Sequence, residues 1–282
     1  MFGIGRRDAV EAGPFGPYNL IEPINRGGMA EIWLATSQKG QHVALRISLE
    51  SGTFEFAAKQ RFFSGCEVLA RIPPSPLIAG YIEHGKIGGV PYMAMEYVEG
   101  ANLKLMISRN DPSLAENVGN ILIDMALALE HVHDAGFMHL DFKPENVVLT
   151  PNGNIKLVDF DLSRPIPDKP EKSSGNPGTP AYMAPEQLLR QPFDRRVDIF
   201  AYGVTAYEVL TFEKPFPGDS ASDVLRKQVA DRSVSFINPR DRNPEIPFKL
   251  EQIIIKCLER DPDKRYPYMS VLVRDLQAAL YV

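Results

Sequence analysis

The first third of the chain alternates short apolar stretches with turn residues, a pattern typical of β-strands. The stretches are rich in β-branched and aromatic residues, and Gly, Pro or polar residues separate them. They predict five strands, at residues 18–24, 31–36, 42–48, 78–83 and 90–96. One longer segment, roughly residues 53–71, has a helical pattern and interrupts the series. We therefore predict a small β-rich region that contains one helix.

From about Gly100 onward the apolar residues recur every three to four positions, which indicates helices. Residues 113–135 show this spacing most clearly, and Gly136 follows as a suitable C-terminal residue for that helix. Further helices are predicted at residues 197–210, 250–258 and 269–280. The change of pattern near residues 96–100 predicts a division of the chain into a flexible N-terminus (1–15), a β-rich part (16–98) and a helical part (99–282).

Composition narrows the class of protein without indicating a function. The chain is 44% hydrophobic and 24% charged, which is ordinary for a soluble globular protein. Its net charge of −5 provides no basic field to attract nucleic acid, so no nucleic-acid partner is expected. No signal peptide is recognisable at the start, and no apolar run approaches the ~18 residues of a membrane span. We expect a cytoplasmic protein with no membrane segment, in which Cys66 and Cys257 are buried free thiols.

The candidate chemistry lies in residues 139–146, His-Leu-Asp-Phe-Lys-Pro-Glu-Asn, and residues 159–161, Asp-Phe-Asp. Between them, the apolar runs 147–149 and 155–158 flank the turn residues 150–154, which predicts a hairpin. This hairpin would hold one acid before its first strand and another after its second strand, with an amide close by. Phosphoryl transfer from a nucleotide requires an acid that takes a hydroxyl proton, beside an Asn and an Asp that hold Mg²⁺.

This segment resembles the catalytic loop and the metal-binding motif of protein kinases, and the resemblance covers roughly residues 16–280. It implies a bilobal α+β fold, with a small antiparallel-sheet lobe that contains one main helix and a larger helical lobe. It also implies that Asp141 is the catalytic base and that Lys143 neutralises the γ-phosphate, as in Ser/Thr kinases. Asn146 and Asp159 would then hold Mg²⁺ or Mn²⁺. The implied cofactors are ATP and this metal, and the implied partner is a protein substrate or a regulated protein.

Residues in the β-rich part resemble the nucleotide-binding elements of the same family. Residues 24–35 resemble the Gly-rich loop, although only one of the three family glycines is matched, at Gly27. Residues 43–46, Val-Ala-Leu-Arg, align with the strand whose lysine binds phosphate, so Arg46 takes that catalytic position. The glutamate that pairs with the lysine falls on Gly65, and our hypothesis is that Gly65 makes room for the bulkier guanidinium. The family's nucleotide pocket maps onto Ile24, Gly27, Gly28, Ile32, Ala44, Arg46, Met95, Glu96, Val98 and Val148.

Residues 178–186, Gly-Thr-Pro-Ala-Tyr-Met-Ala-Pro-Glu, resemble the end of a kinase activation segment. Thr179 would bridge Asp141 and Lys143, as the corresponding threonine does in Ser/Thr kinases. Other positions match structural anchors of the family: the buried ion pair of Glu186 with Arg265, and the helix residue Asp198 that holds the catalytic loop.

Two further departures from the family pattern lie in residues 139–146 and 159–161. Leu140 replaces the arginine that normally binds a phosphorylated activation loop, which predicts that any activity is independent of phosphorylation there. Asp161 replaces a flexible glycine, and its carboxylate either ligates a cation or restricts the movement of the motif.

Two functional hypotheses follow from the resemblance. In the first, the protein is a Ser/Thr protein kinase of weak or atypical activity, because Arg46 and Gly65 replace the usual lysine and glutamate. In the second, it is a pseudokinase that acts as a nucleotide-binding switch or as an interaction scaffold. The first is favoured because the residues that handle the proton and the metal are all retained.

Overall fold

The computed structural model describes residues 10–27, 30–49, 55–172, 178–229 and 236–280. Contacts divide the chain into two compact units. The first unit comprises Met1–Glu99 together with Asp159–Asp161, and the second unit comprises Gly100–Val158 together with Leu162–Val282. Sequence patterns assigned residues 159–161 to the helical part, whereas their contacts join them to the first unit.

The first unit is a six-stranded antiparallel sheet with one helix, α1 (Glu55–Arg71). The strand order is β1-β2-β3-β4-β6-β5. The strands are β1 (Gly13–Phe15), β2 (Tyr18–Arg26), β3 (Ala30–Ser37), β4 (His42–Ser48), β5 (Tyr81–Ile87) and β6 (Val90–Glu96). Both β4 and β6 have the boundaries that the sequence predicts, because their β-branched and apolar residues end at clear turn signals.

Two sequence predictions in the first unit need correction. Gly13–Phe15 was expected to belong to a flexible terminus, but it forms β1, and Phe15 packs against the apolar core beside Tyr92. The strand predicted at residues 78–83 starts later, at Tyr81. The predicted boundary was too early because Ile78 and Ala79 are apolar and buried, although they do not belong to the strand. Burial alone therefore does not separate a strand from an irregular core segment.

Alternation along the central strands gives the sheet two different faces. One face carries the apolar core of the unit, formed by Tyr18, Leu20, Trp33, Ala35, Val43, Leu45, Ile47, Tyr92 and Ala94. On β4 the intervening residues Ala44 and Arg46 point to the opposite face. The sheet therefore presents Arg46 on the side away from this core.

The second unit is mainly helical. Its helices are α2 (Leu103–Arg109), α3 (Pro112–Asp134), α4 (Pro185–Leu188), α5 (Arg196–Thr211), α6 (Ala221–Val229), α7 (Pro239–Arg242), α8 (Phe248–Cys257) and α9 (Met269–Leu280). Residues Val197 to Leu210 of α5 are all buried, so this helix forms the centre of the unit. Gly136, with φ +87°, follows the end of α3 as predicted.

Short strands in the second unit form two small sheets. The three-stranded sheet has the order β10 (Ile155–Leu157), β9 (Val147–Leu149) and β7 (Ala101–Asn102), and its β9–β10 pair is the hairpin that the sequence predicts. The other sheet pairs β8 (Phe137–Met138) with β11 (Arg164–Pro165). The sequence did not predict α2 or α6, because α2 has only seven residues and α6 buries only Val224 and Gln228.

A buried ion pair links α4 to the segment before α9. Arg265 Nη1 and Nη2 donate to the two carboxylate oxygens of Glu186 at 2.7 and 2.8 Å. Its other N–H groups donate to the carbonyl oxygens of Glu259, Arg196 and Arg260. A guanidinium with all its donors used in this way meets the requirement for burying a charge, so the pair fits the structural role expected from the sequence.

None of the described helices is long and apolar enough to cross a membrane.

Both cysteines are buried free thiols, with 0% exposure at Cys66 and at Cys257. Burial raises the pKa of Cys66 to about 12, although the positive charge of Arg46 lowers it. Burial raises the pKa of Cys257 as well. Since only thiolates react readily, both native thiols are expected to resist an aromatic disulfide reagent at pH 8 and to react fully in denaturant.

The matched control for this measurement is Ser64→Cys, which adds a thiol at an exposed position of α1. One equivalent should react at once in this variant. Rapid reaction of the unmodified native protein would contradict the burial of its cysteines.

Candidate active site

The centre of the candidate site in the second unit is the carboxylate of Asp141. Lys143 Nζ donates to Asp141 Oδ2 at 2.7 Å and to Thr179 Oγ1 at 3.0 Å. The lysine therefore joins the catalytic loop to the end of the activation segment. The resemblance implied a bridge by Thr179 between Asp141 and Lys143, and of its two contacts the one with Lys143 is present. An acid held in this way, with an ammonium beside it, can accept a hydroxyl proton while negative charge on a phosphate is balanced.

Asn146 completes this cluster. Its side-chain Nδ2 donates to the carbonyl oxygen of Asp141 at 2.9 Å and to Asp141 Oδ2 at 3.3 Å. The nitrogen half of the amide is therefore used within the loop, and the oxygen half is the part suited to a hard cation. Asn146 is buried, at 6% exposure. Its backbone carbonyl oxygen, not the side-chain oxygen, accepts a hydrogen bond from the backbone N–H of Val158 at 2.9 Å. This donor chemistry fits a Mg²⁺ ligand.

The loop is held in place by the buried carboxylate of Asp198 on α5. It accepts hydrogen bonds from the backbone N–H groups of His139 and Leu140, both at 2.8 Å, and it lies 2.8 Å from His133 Nε2. Leu140 has φ +65°, a left-handed conformation that costs energy for a residue with a Cβ. The two hydrogen bonds offset that cost and fix the backbone next to Asp141.

These hydrogen bonds also control ionisation of Asp198. Burial by itself disfavours the carboxylate, but the hydrogen bond and charge of His133 and the N–H of Leu140 outweigh burial and lower the pKa of Asp198. The residue is therefore an anion at neutral pH.

The motif Asp159–Phe160–Asp161 belongs to the first unit. Asp159 has φ +65°, and its Oδ1 accepts from the backbone N–H of Asp161 at 3.2 Å. Phe160 is buried at 2% exposure. A carboxylate is a suitable ligand for Mg²⁺, so the chemistry of Asp159 also fits the predicted role.

Arg46 on β4 is buried, at 7% exposure, and its guanidinium forms an ion pair with the carboxylate of Asp161. The guanidinium carbon lies 4.8 Å from the centre of the Phe62 ring. Burial lowers the pKa of Arg46, and the charge of Asp159 opposes this shift. Nη1 is buried and has no hydrogen-bond partner among the described residues, so its two N–H groups are left for an acceptor.

Gly65 on α1 lies against the backbone of the same motif. A Cβ at this position would be 2.9 Å from the Cα of Asp161 and 3.0 Å from the carbonyl oxygen of Phe160. The three nearest atoms all belong to the backbone of residues 160 and 161, so the missing Cβ of Gly65 gives room to this backbone. Glu67, the nearest acid in sequence, is exposed.

Several predicted nucleotide-binding residues share one face of the first unit's sheet. Ala44 pairs with Met95 across β4 and β6, and Arg46 pairs with Ile32 across β3 and β4. Paired residues of antiparallel strands point to the same face, so these four lie together on the side away from the apolar core.

The remaining predicted pocket residues are placed as follows. Ile24 is 48% exposed, and the backbone N–H of Gly27 donates to Ala30 in the turn between β2 and β3. Glu96 is the last residue of β6, and its Oε2 accepts a hydrogen bond from the backbone N–H of Gly80 at 2.9 Å. Val98 follows that strand as a half-buried residue. Val148 is a half-buried residue of β9 in the second unit, and Gly28 lies outside the described residues.

The sequence left the role of Asp161 undecided. Of the two alternatives considered, a cation ligand or a restraint on the motif, its ion pair with Arg46 favours the restraint. The signal was present as two departures in the same chain: an acid lost at position 65 and an acid gained at position 161.

The close approach at Gly65 predicts an unusual effect of Gly65→Ala. Helix propensity alone would stabilise the protein by up to about 1 kcal/mol, but the clash with residues 160 and 161 should reverse the sign. We expect a net loss of about 1–2 kcal/mol in the free energy of unfolding, measured with urea.

Gly119→Ala is the matched control, because a Cβ at this helical glycine of α3 meets nothing within 4 Å. It should stabilise the protein by about 0.5–1 kcal/mol. Equal stabilisation by the two substitutions would contradict the close approach.

Asp198→Asn should destabilise the protein by about 3 kcal/mol at pH 7, because it removes an anion that several donors share. A lowered pKa means that the stabilisation is present above the unfolded-state pKa of about 4 and is lost as the pH falls below it. The difference between the two proteins should therefore shrink below about pH 4 in urea titrations.

Asp219→Asn removes an exposed carboxylate and should change stability by less than about 0.5 kcal/mol. A difference between Asp198→Asn and the unmodified protein that stays constant down to pH 3 would contradict the ionic role of Asp198.

Comparisons with known proteins identify the family to which the chain is similar. Residues 18–276 match the family model of the protein kinase domain. A probable serine/threonine-protein kinase of Streptomyces coelicolor is 32% identical over 275 residues, which cover 94% of this chain and 40% of the relative. The probable kinase PknB of Corynebacterium glutamicum is 30% identical, covering 92% of this chain and 41% of the relative. The kinase PknB of Mycolicibacterium smegmatis is 29% identical, covering 92% and 42%.

This chain thus spans about two fifths of the length of the curated relatives it matches. The family match covers both the β-rich part and the helical part of the chain. It confirms the fold class implied by the motifs, an α+β fold with an antiparallel-sheet lobe and a larger helical lobe. The chain belongs to the protein kinase domain family.

Proposed function

We propose that this chain is a Ser/Thr protein kinase domain that transfers the γ-phosphate of ATP to a hydroxyl group of a protein. The observation that carries the proposal is the cluster in which Lys143 bonds both Asp141 and Thr179, with Asn146 bonded to Asp141. Relatives named as Ser/Thr kinases support the same reading.

Each residue of the cluster has a defined task in this function. Asp141 accepts the proton of the substrate hydroxyl as that oxygen attacks phosphorus. Lys143 lies 2.7 Å from Asp141, where its positive charge balances charge on the transferred group. Asn146 and Asp159 would hold Mg²⁺ or Mn²⁺, which when bound neutralises the negative charge of the phosphates.

The first unit would bind the nucleotide. Arg46 Nη1, which has no partner within the described part of the chain, would donate to a phosphate oxygen, since a buried donor of this kind needs an acceptor. Ile32, Ala44 and Met95, on the same sheet face, would contact the adenine. Other contacts are proposed for Ile24, Gly27, Gly28, Glu96, Val98 and Val148, from the resemblance alone.

Activity is proposed to be weak or atypical. Arginine donates in a planar fork rather than as a point charge, so it does not reproduce the contacts of the usual lysine. Part of its charge is also neutralised by Asp161. Each ~1.4 kcal/mol of lost transition-state stabilisation lowers the rate tenfold.

One observation favours the second candidate, a pseudokinase that acts as a nucleotide-binding switch or a scaffold. The cation at the phosphate-binding position already has an internal counter-ion, Asp161, so its attraction for a phosphate is reduced. Asp141 and Asn146 of the second unit are retained, and for this reason a catalytic kinase is the favoured function.

The test is a thermal shift with ATP, with and without Mg²⁺ or Mn²⁺, followed by phosphate transfer to a generic protein substrate. A working kinase should be stabilised by ATP in a metal-dependent way. Asp141→Ala should lower transfer by about 10²-fold or more, because it removes the proton acceptor and its contact with Lys143. Nucleotide binding should be retained, because the proposed nucleotide contacts of the first unit are unchanged. Asp219→Ala, at an exposed aspartate, is the control and should transfer phosphate normally.

The outcomes separate the two functions. A metal-dependent shift without transfer under any condition favours the nucleotide-binding switch. No shift with any nucleotide leaves the scaffold. Transfer that persists in Asp141→Ala would contradict the role given to the catalytic loop.

A further inference from the structure

The guanidinium of Arg46 is buried in the first unit and needs a counter-ion. Its cross-strand neighbours, Ile32 and Met93, are apolar. On α1, the buried face of residues 59–71 carries Phe62, Gly65, Cys66, Val68, Leu69 and no acid. The acidic partner therefore does not come from that helix segment.

Asp161 supplies the missing charge from a different part of the chain. Its carboxylate pairs with Arg46 Nη2, and the side chains of the two residues are 21% and 9% exposed. Phe62 covers the guanidinium at 4.8 Å. With one nitrogen bound to an acid and a ring beside the guanidinium plane, the side chain has little freedom, and Nη1 remains without a partner among the described residues.

We propose that Asp161 is the positioning residue of Arg46: it holds the buried guanidinium so that one N–H group stays available to a phosphate oxygen of the nucleotide. This inference rests on the proposed function, since it assumes that Arg46 meets a phosphate.

Gly65 is the matching element on α1. A side chain there would push into the Cα of Asp161 at 2.9 Å, so the helix permits this approach only because position 65 lacks a Cβ. The departures at positions 46, 65 and 161 thus form one rearranged unit, in which the acid has moved from the helix to the motif that also carries Asp159.

This arrangement joins two tasks that are usually carried by separate segments. Asp161 bonds Arg46 through its side chain and Asp159 Oδ1 through its backbone N–H at 3.2 Å. Residues 159–161 therefore hold the guanidinium of Arg46 and also carry Asp159, the proposed metal ligand. Displacement of these three residues would release Arg46 and move Asp159 at the same time.

The test compares binding of ADP and of adenosine by calorimetry, with and without Mg²⁺, for the unmodified protein and Asp161→Asn. Loss of the carboxylate should weaken metal-free ADP binding by about tenfold, because Arg46 is no longer oriented. Adenosine, which has no phosphate, should bind within about twofold in both proteins. Glu67→Gln, which removes an exposed acid of α1, is the matched charge control and should change neither affinity.

Three outcomes would overturn the inference. Equal losses for ADP and adenosine would mean general damage to the unit. Tighter ADP binding in Asp161→Asn would mean that the carboxylate only repels phosphate. A loss that appears only with Mg²⁺ present would make Asp161 a metal ligand instead.

If the unmodified protein binds no nucleotide, the proposed function fails, and the positioning of a phosphate contact fails with it. A double-mutant cycle still tests the ion pair of Arg46 and Asp161 in that case. Asp161→Asn should lower the melting temperature by roughly 5–10 °C, because it leaves a buried cation unpaired. When Arg46 is already replaced by Met, Asp161→Asn should lower the melting temperature by less than about a third of that amount. Additive effects would overturn the pairing. If Asp161→Asn does not fold, recovery of folding in the double variant would support the pairing of Asp161 with Arg46. A double variant that also fails to fold would contradict the pairing.

Discussion

A buried guanidinium has to be paired, and this requirement at Arg46 organises the first unit around the candidate site. The acid that meets it, Asp161, is separated from Arg46 by 115 positions in sequence. To reach the strand, its backbone must pass against α1, which only a glycine at position 65 allows. The same contacts explain why Asp159–Asp161 belongs with the sheet although the chain on both sides belongs to the helical unit.

The catalytic loop is stabilised by a different principle, a network of hydrogen bonds around the fully buried carboxylate of Asp198. This network fixes the left-handed backbone at Leu140 and so sets the direction of Asp141. Its donors among the described residues, His133, His139 and Leu140, all belong to the second unit. The contacts of Asp141 and those of Arg46 thus lie in different units of the chain, and only the residues around Arg46 depart from the family pattern in both members of an ion pair.

Sequence patterns predicted most long elements, because long elements repeat their signal. The strands β4 and β6 and the helix α9 have the predicted boundaries, and α3 and α5 lie within about two residues of theirs. The three-residue β1, the short α2 and the mostly exposed α6 were missed, because so few of their residues are buried that no period is visible. The early start predicted for β5 came from Ile78 and Ala79, which are buried for reasons of packing alone.

The sequence by itself determined the family, since the spacing of Asp141, Lys143, Asn146 and Asp159 around a predicted hairpin needs no tertiary information. It also revealed that the cationic position and its helix partner were both altered. Only the tertiary structure showed that Asp161 pairs with Arg46 and that the backbone of residues 160 and 161 lies against Gly65. The physical reason is that an ion pair depends on which backbone segments approach within a few ångströms, and local patterns of residue type carry no information on that distance.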